Sequence, residues 1–130
     1  MNLENTLMDT LGMEVITQEK ELVEITMPVN KNTHQPMGFL HGGASVALAE
    51  SAASIGAFLN IDAGKQQIFG IEINANHIKS KRSGIVTGRA TPLHRGKTTM
   101  VWDVKIVDEQ DRLISVSRCT VGVVPIKTPE

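Results

Sequence analysis

A chain of 130 residues is long enough for one domain, 1–130, around one core. With 41% hydrophobic and 21% charged residues it has the composition of a soluble globule, not of a disordered tail. The net charge of −1 gives the whole molecule no strong pull on polyanions, and the one cysteine, Cys119, excludes an internal disulfide and suits a reducing cytoplasm, with the thiol as a small buried hydrophobe.

The first residues, MNLENTLMDTLG, carry acids early and no basic run, so they do not read as a signal peptide. Leu3, Leu7, Met8 and Leu11 recur at helical spacing and predict a short helix over Leu3–Leu11, stopped by Gly12. Met13–Thr17 and Glu21–Met27 read as strands joined by a turn at Gln18–Lys20. In the second, Val23, Ile25 and Met27 alternate with Glu24 and Thr26, the pattern of a half-buried strand. Pro28 is expected to end that strand, and a loop follows from Val29 to Leu40. Beyond a Gly-Gly turn, Ala44, Val46, Ala47, Leu48, Ala49, Ala52, Ala53, Ile55, Ala57, Phe58 and Leu59 leave no wide polar face. A helix covered by protein on most sides is predicted there. The run is long enough to raise the question of a membrane span. Its Gly, Ala and Ser content, its Glu50 and the lack of a second such run point to a core helix instead.

After a loop at Asp62–Lys65 come four strand-like runs. Gln67–Lys79 places Phe69, Ile71, Ile73 and Ala75 on one parity, with His77 on the same parity near the end. Gly84–Thr91 follows a Lys-Arg-Ser-Gly turn. Thr98–Val107 has Met100, Trp102, Val104 and Ile106 on one face, and Leu113–Val124 reads as its hairpin partner. The tail Pro125–Glu130 is polar and expected to fray. Strands and helices do not alternate, which argues against a doubly wound parallel sheet. The predicted class is α+β, an antiparallel sheet of six strands curled around one long helix. Its uncovered face and edges lead to the expectation of an oligomer.

Glu50 is the one charge in the helix. Burying an unpaired carboxylate is costly, so it either pairs with a cation or backbone donor or serves as a catalytic acid, and the helix alone leaves both readings open. Gly42 and Gly43 expose backbone N–H groups at the positive end of a helix, where a developing oxyanion can be held; the plainer reading is a tight turn. Gln35 is a neutral group able to orient a carbonyl or a water, or a loop-surface amide. His41 either contacts substrate or hydrogen-bonds within its turn, the second being favoured. Ser54, one turn after Glu50, holds a water for the carboxylate or bonds back to the Glu50 carbonyl. At ~1.5 Å rise per residue, Gly42 and Glu50 lie ~12 Å apart along one helix, too far to share one carbonyl. If both act on it, they come from different chains, which predicts a two-fold homodimer with antiparallel helices and two shared sites.

His34, His41, His77 and His94 form no i,i+4 pair and no Cys–His spacing, so no metal site is expected. G-x-S-x-G, the P-loop and G-x-G-x-x-G are absent from the sequence. From Ile73 to Trp102 there is no Asp or Glu, while Lys79, Lys81, Arg82, Arg89, Arg95 and Lys97 fall there. That is a local positive surface for phosphates, or a solvated strand face. Tyr is absent and no nucleic-acid-binding motif is present, so nucleic acid is a poor partner.

The segments HQPMGFLHGGASVALAES, GIEINANHIKS and PLHRGKTTMVWDVKI resemble the hotdog-fold acyl-CoA thioesterases of the phenylacetate-pathway and 4-hydroxybenzoyl-CoA type. Within these, they are most similar to the 1,4-dihydroxy-2-naphthoyl-CoA hydrolases of menaquinone synthesis. The likeness runs from about Leu11 to Val124, centred on His-Gly-Gly with a Glu seven residues on. It implies a helix wrapped by an antiparallel sheet, dimers and homotetramers, and hydrolysis of an acyl-CoA with no cofactor beyond the coenzyme A of the substrate. By position it makes Glu50 the nucleophile or general base, Gly42 the oxyanion donor, Gln35 the group orienting carbonyl or water, and Ser54 the hydroxyl beside the carboxylate. Gly70, the run His77, Ile78, Lys79, Ser80, then Arg82, and the run His94, Arg95, Gly96, Lys97, Thr98, Thr99 match segments lining the acyl and coenzyme A sites. Met37, Phe39, Phe58, Leu59 and Phe69 are candidate pocket walls or simply core. Two rivals stand beside this reading. A hotdog dehydratase would pair a His with an acid, and His41 with Glu50 leaves that open. A non-catalytic acyl-CoA sensor would need an output module.

Overall fold

Alternating apolar residues before and after the Ala-rich run give strands, and the run itself gives the long helix between them. A computed structural model describes residues 1–127. In chain order the elements are α1 (Leu7–Thr10), β1 (Glu14–Glu19), β2 (Leu22–Val29), α2 (Gly42–Leu59), β3 (Gln66–His77), β4 (Gly84–Arg95), β5 (Thr99–Val107) and β6 (Leu113–Pro125). The six strands form one antiparallel sheet in the order β1-β2-β4-β5-β6-β3, so β3, which follows the helix, crosses to the far edge.

The sheet curls over α2. Val23, Ile25 and Met27 from β2, Val86 and Ala90 from β4, Trp102, Val104 and Ile106 from β5, and Val121 from β6 are sealed against Leu48, Ala49, Ala52, Ala53 and Ala57. Small residues let the helix come close. A methyl group built on Gly56 would lie 2.5 Å from the Trp102 ring, and one on Gly88 would lie 3.1 Å from Leu48 Cγ.

Several expectations are corrected. The helix expected over Leu3–Leu11 is only Leu7–Thr10, because Asn5 sits in the left-handed region (φ 62°) and Thr6 caps the turn, its side chain accepting from Asp9 N–H. Pro28 does not end β2; it pairs with Ile85. Its carbonyl accepts from Thr33 Oγ1, on the side left open beyond the end of β1, and its missing N–H faces the same way, so no ladder bond is lost. β4 runs on to Arg95 through a bulge between Pro92 and His94. The single apolar parity of β3 is broken by a second bulge between Gly70 and Glu72. Ile68 and Ile73 therefore pack toward the core, while Phe69 (51% exposed) and Ile71 (55%) lie over Gly122 on the outer face. Of the tail expected to fray, Pro125 closes β6 and Ile126 N–H donates to Lys65 O at 2.9 Å; residues 128–130 lie outside the described residues.

The largest correction concerns α2. The sheet covers one side of it only. Gly43, Glu50 and Phe58 are exposed and Val46, Ala47, Ser51 and Ser54 half-buried along the other side. A six-stranded sheet has no seventh element to close over that stripe, and the short α1 crosses only part of it. Glu50 therefore faces solvent rather than the core.

Candidate active site

The start of α2 is built by His41. Its extended backbone puts it at the N-cap, where Nδ1 accepts from Gly43 N–H at 2.7 Å and its carbonyl accepts from Ala44 N–H at 3.0 Å and Ser45 N–H at 3.2 Å. His41 N–H itself donates to Thr33 O at 2.8 Å. Every amide around it is thus engaged, but Gly42 N–H has no acceptor among the described residues. A first-turn N–H left over at the positive end of an 18-residue helix is a ready anion donor. It opens on a cavity of about 340 Å³ lined by Gln35, Phe39, Leu40, Gly42, Ser45, His77, Ile78, Lys79, Ser80 and Ile114. The His77 ring packs on Gly42 so closely that a methyl group there would lie 2.9 Å from Nε2 and would have to displace the ring.

Gln35 sits in a tight loop closed by Gln35 N–H to Phe39 O at 2.8 Å and Gly38 N–H to Gln35 O at 3.0 Å, with Gly38 at φ 85°. Its Oε1 accepts from Met37 N–H and, at 3.4 Å, from Phe39 N–H. The amide oxygen is consumed by the loop, so the NH2 end is what Gln35 has left to offer: a donor. The loop is tied to the segment after β3. Leu40 N–H donates to Lys81 O at 2.8 Å, a His34 ring nitrogen bonds Arg82 O at 2.8 Å, and the Arg82 guanidinium stacks 4.1 Å from the Phe39 ring centre. Lys81 is held by Glu109 at 2.6 Å. Lys79 and Ser80 are thereby fixed at the cavity wall with Lys79 exposed.

Glu50 lines a different cavity of about 470 Å³, with Met8, Ser51, Ser54, Ile55 and Gly70. Its Oε2 lies 3.5 Å from where a Gly70 side chain would begin, so β3 comes to the carboxylate at a residue with no bulk. Among the described residues Glu50 has no cation and no hydrogen-bond donor as partner. The Ser51 hydroxyl bonds back to Ala47 O at 2.7 Å, whereas the Ser54 hydroxyl makes no such bond to Glu50 and stays available. Beneath the site the Cys119 thiol is pushed up to about 11, by burial first and then by the charges of Glu50 and Glu72. It is packing, not a nucleophile.

Of the residues singled out from the sequence, the structure gathers Gln35, Gly42, His77, Ile78, Lys79 and Ser80 at one cavity and Glu50, Ser54 and Gly70 at another. His41 faces a third hollow with Leu7, Leu11, Thr33 and His34, its Nδ1 spent on the cap. His94, Arg95, Gly96, Lys97, Thr98 and Thr99 line neither of the first two. They lie around the β4–β5 turn at the opposite end of α2, where Arg95 donates to Glu21 at 2.6 Å and to the C-cap residue Asn60 at 3.1 Å. Of the candidate walls only Phe39 lines one of these two cavities. Sequence reading missed Ser45, Leu40 and Ile114 in the first cavity and Met8, Ser51 and Ile55 in the second. Ser45 was findable, three residues after Gly42 on the same helix face; Met8 and Ile114 arrive from distant segments and left no local signal. Chemically, one cavity offers donors to a carbonyl oxygen and the other a free carboxylate.

A family model described as the thioesterase superfamily matches residues 37–115. The chain is similar to ComA2 of Bacillus subtilis, provisionally named an esterase, at 51% identity over 95% of this chain and 98% of that one. It is similar to the 1,4-dihydroxy-2-naphthoyl-CoA hydrolase of Listeria monocytogenes at 49% identity over 90% and 94%. Among solved structures, a mutant thioesterase of Pseudomonas aeruginosa superposes with a TM-score of 0.93 at 40% identity, over 95% of this chain and 89% of that one. With the sheet order and central helix described above, these place the chain in the thioesterase superfamily, as a thioester hydrolase with the hotdog fold.

Proposed function

We propose that this chain hydrolyses an aromatic acyl-CoA thioester, 1,4-dihydroxy-2-naphthoyl-CoA on the route to menaquinone, at sites shared between two copies in the cytoplasm. The observation that carries the reading is the division of labour along α2. An unclaimed N–H sits at Gly42, an unpartnered carboxylate sits at Glu50, and eight residues of helix, ~12 Å, separate them. The open stripe of α2 is where a second copy would pack antiparallel, setting each Glu50 opposite the other copy's Gly42; two such dimers would then associate as a homotetramer.

In the shared site Gly42 N–H and the Gln35 amide donate to the thioester carbonyl oxygen. Glu50 attacks the carbonyl carbon or takes a proton from an attacking water, with Ser54 holding that water. Collapse of the tetrahedral species breaks the C–S bond, and coenzyme A leaves as the thiolate and takes up a proton. Attack by water gives the acid directly, whereas attack by Glu50 leaves a mixed anhydride that a water then hydrolyses, releasing the acid and restoring the carboxylate. Lys79 and Arg82 at the mouth would meet coenzyme A phosphates. His94–Thr99 reach the site only if another protomer brings them. The naphthoyl assignment draws on the Listeria relative's name. The name of ComA2 states no substrate, and a broader aryl or medium-chain range stands as the second reading. Against a dehydratase pairing of His41 with Glu50 stands the cap bond that occupies His41 Nδ1.

Mixing two variants tests the sharing. Glu50→Gln and Gly42→Pro, the second of which removes the donor N–H at the first helical position where proline is tolerated, are each expected to be inactive alone. A mixed dimer has one doubly damaged site and one intact site, so an equimolar, re-equilibrated mixture is expected to regain roughly a quarter of wild-type aryl-CoA hydrolysis. No recovery, with mixed dimers demonstrated, would sink the shared-site reading.

A further inference from the structure

The cavity that holds Glu50 has walls from three elements. α2 gives Glu50, Ser51, Ser54 and Ile55, β3 gives Gly70, and the N-terminal segment gives Met8 alone. Met8 is not there by loose draping. Thr6 caps α1, Leu11 N–H donates to Leu7 O at 3.0 Å, Gly12 N–H to Asp9 O at 3.0 Å, and Met13 N–H to Met8 O at 2.9 Å. The last two bonds, with Gly12 at φ 76°, make the double-bonded helix stop that ends in a left-handed residue. Met13, the residue beyond it, is buried in the core, and a methyl group on Gly12 would lie 2.8 Å from Pro28 Cγ. The turn is pinned from both ends, and the half-buried Met8 is the side chain it delivers to the carboxylate.

We propose that Met8 is a specificity-determining residue, the wall that presses the acyl group of the substrate against Gly70. The inference rests on Glu50 marking the reacting carbonyl. Gly70 presents bare backbone and Met8 an unbranched, polarisable thioether to the one cavity, which Ile55 also lines. A flat ring fits between a side chain and a glycine face; a flexible alkyl chain gains less from that confinement. Thioethers also make favourable contacts with aromatic rings. Met8 therefore selects planar aryl thioesters over straight-chain ones, and α1 exists to hold it.

The test is the ratio of kcat/KM for a naphthoyl-CoA to that for hexanoyl-CoA, measured on the full chain. Met8→Ala is expected to lower the ratio about tenfold, the range set by removing a few methylene-sized contacts from a pocket. Gly12→Ala, which strains the turn without touching the cavity, is expected to move the ratio the same way. Met8→Leu, which keeps the volume, is expected to hold it within about twofold. An unchanged ratio in Met8→Ala, or an equal fall for both substrates, would overturn the proposal. So would a loss in Met8→Leu as large as in Met8→Ala. Glu50→Gln measured alongside separates the two levels. Retained turnover there defeats the site assignment itself, whereas an inactive Glu50→Gln with an unmoved Met8→Ala ratio defeats only the wall.

Discussion

Replacing Glu50 with glutamine is expected to lower kcat for an aryl-CoA by about a hundredfold to ten-thousandfold, the span of a lost general base, with more lost if the carboxylate is the nucleophile. The fold should be untouched, because the side chain is exposed and has no cation or donor as partner among the described residues. Binding should survive for the same reason: the donors to the carbonyl lie in the other cavity, and Glu50→Gln changes charge without changing shape. The discriminating result is a fall in kcat with an unchanged melting temperature and a KM within a few-fold of wild type. Steady-state thiol release measures it, and near-normal turnover would end the assignment.

Trp102→Ala is expected to cost about 3–5 kcal/mol of stability, the range for deleting a large buried aromatic side chain. Trp102 is fully buried, its ring seated on α2 at Gly56, with its indole N–H unpartnered among the described residues. Gly56→Ala should cost about 1–3 kcal/mol, since its methyl would lie 2.5 Å from the ring and the sealed core gives the ring nowhere to move. The two changes share one contact, so they should not add. In the Trp102→Ala background the Gly56 methyl enters vacated space, and the double variant should be more stable than the sum of the two losses implies. Urea denaturation of the four proteins measures the coupling; strict additivity would mean that helix and sheet do not meet at this pair.

Strand and helix identities were legible because apolar periodicity is local. Val23, Ile25 and Met27 in β2 and Met100, Trp102, Val104 and Ile106 in β5 point where their alternation says. The failures are non-local. The bulge at Ile71 is a mismatch between β3 and β6 that neither strand shows alone, and it moves Phe69 and Ile71 to the outer face. Pro28 stays in its strand because β1 happens to stop short of it. Glu50 was singled out on the ground that it would be buried. It is exposed, and what marks it is the missing partner. Gln35 and Gly42 were visible by residue type, but only their hydrogen bonds reveal that the Gln35 oxygen is spent and the Gly42 amide is not. Met8 was out of reach, since its place depends on a turn locked by Gly12 against Pro28.

Gly42 and Glu50 ride on one rigid rod, and a helix can be lengthened only in steps of ~1.5 Å that also rotate it by ~100°. One inserted residue between them would swing the acid off the open stripe, and symmetry would repeat the error at the second site. The spacing of the reacting groups is therefore quantised and hard to adjust. Divergence toward bulkier or slimmer substrates has to pass through the surrounding lining, at positions such as Met8, Ile55 and Gly70, where side chains can change size by single carbon atoms while the rod stays as it is.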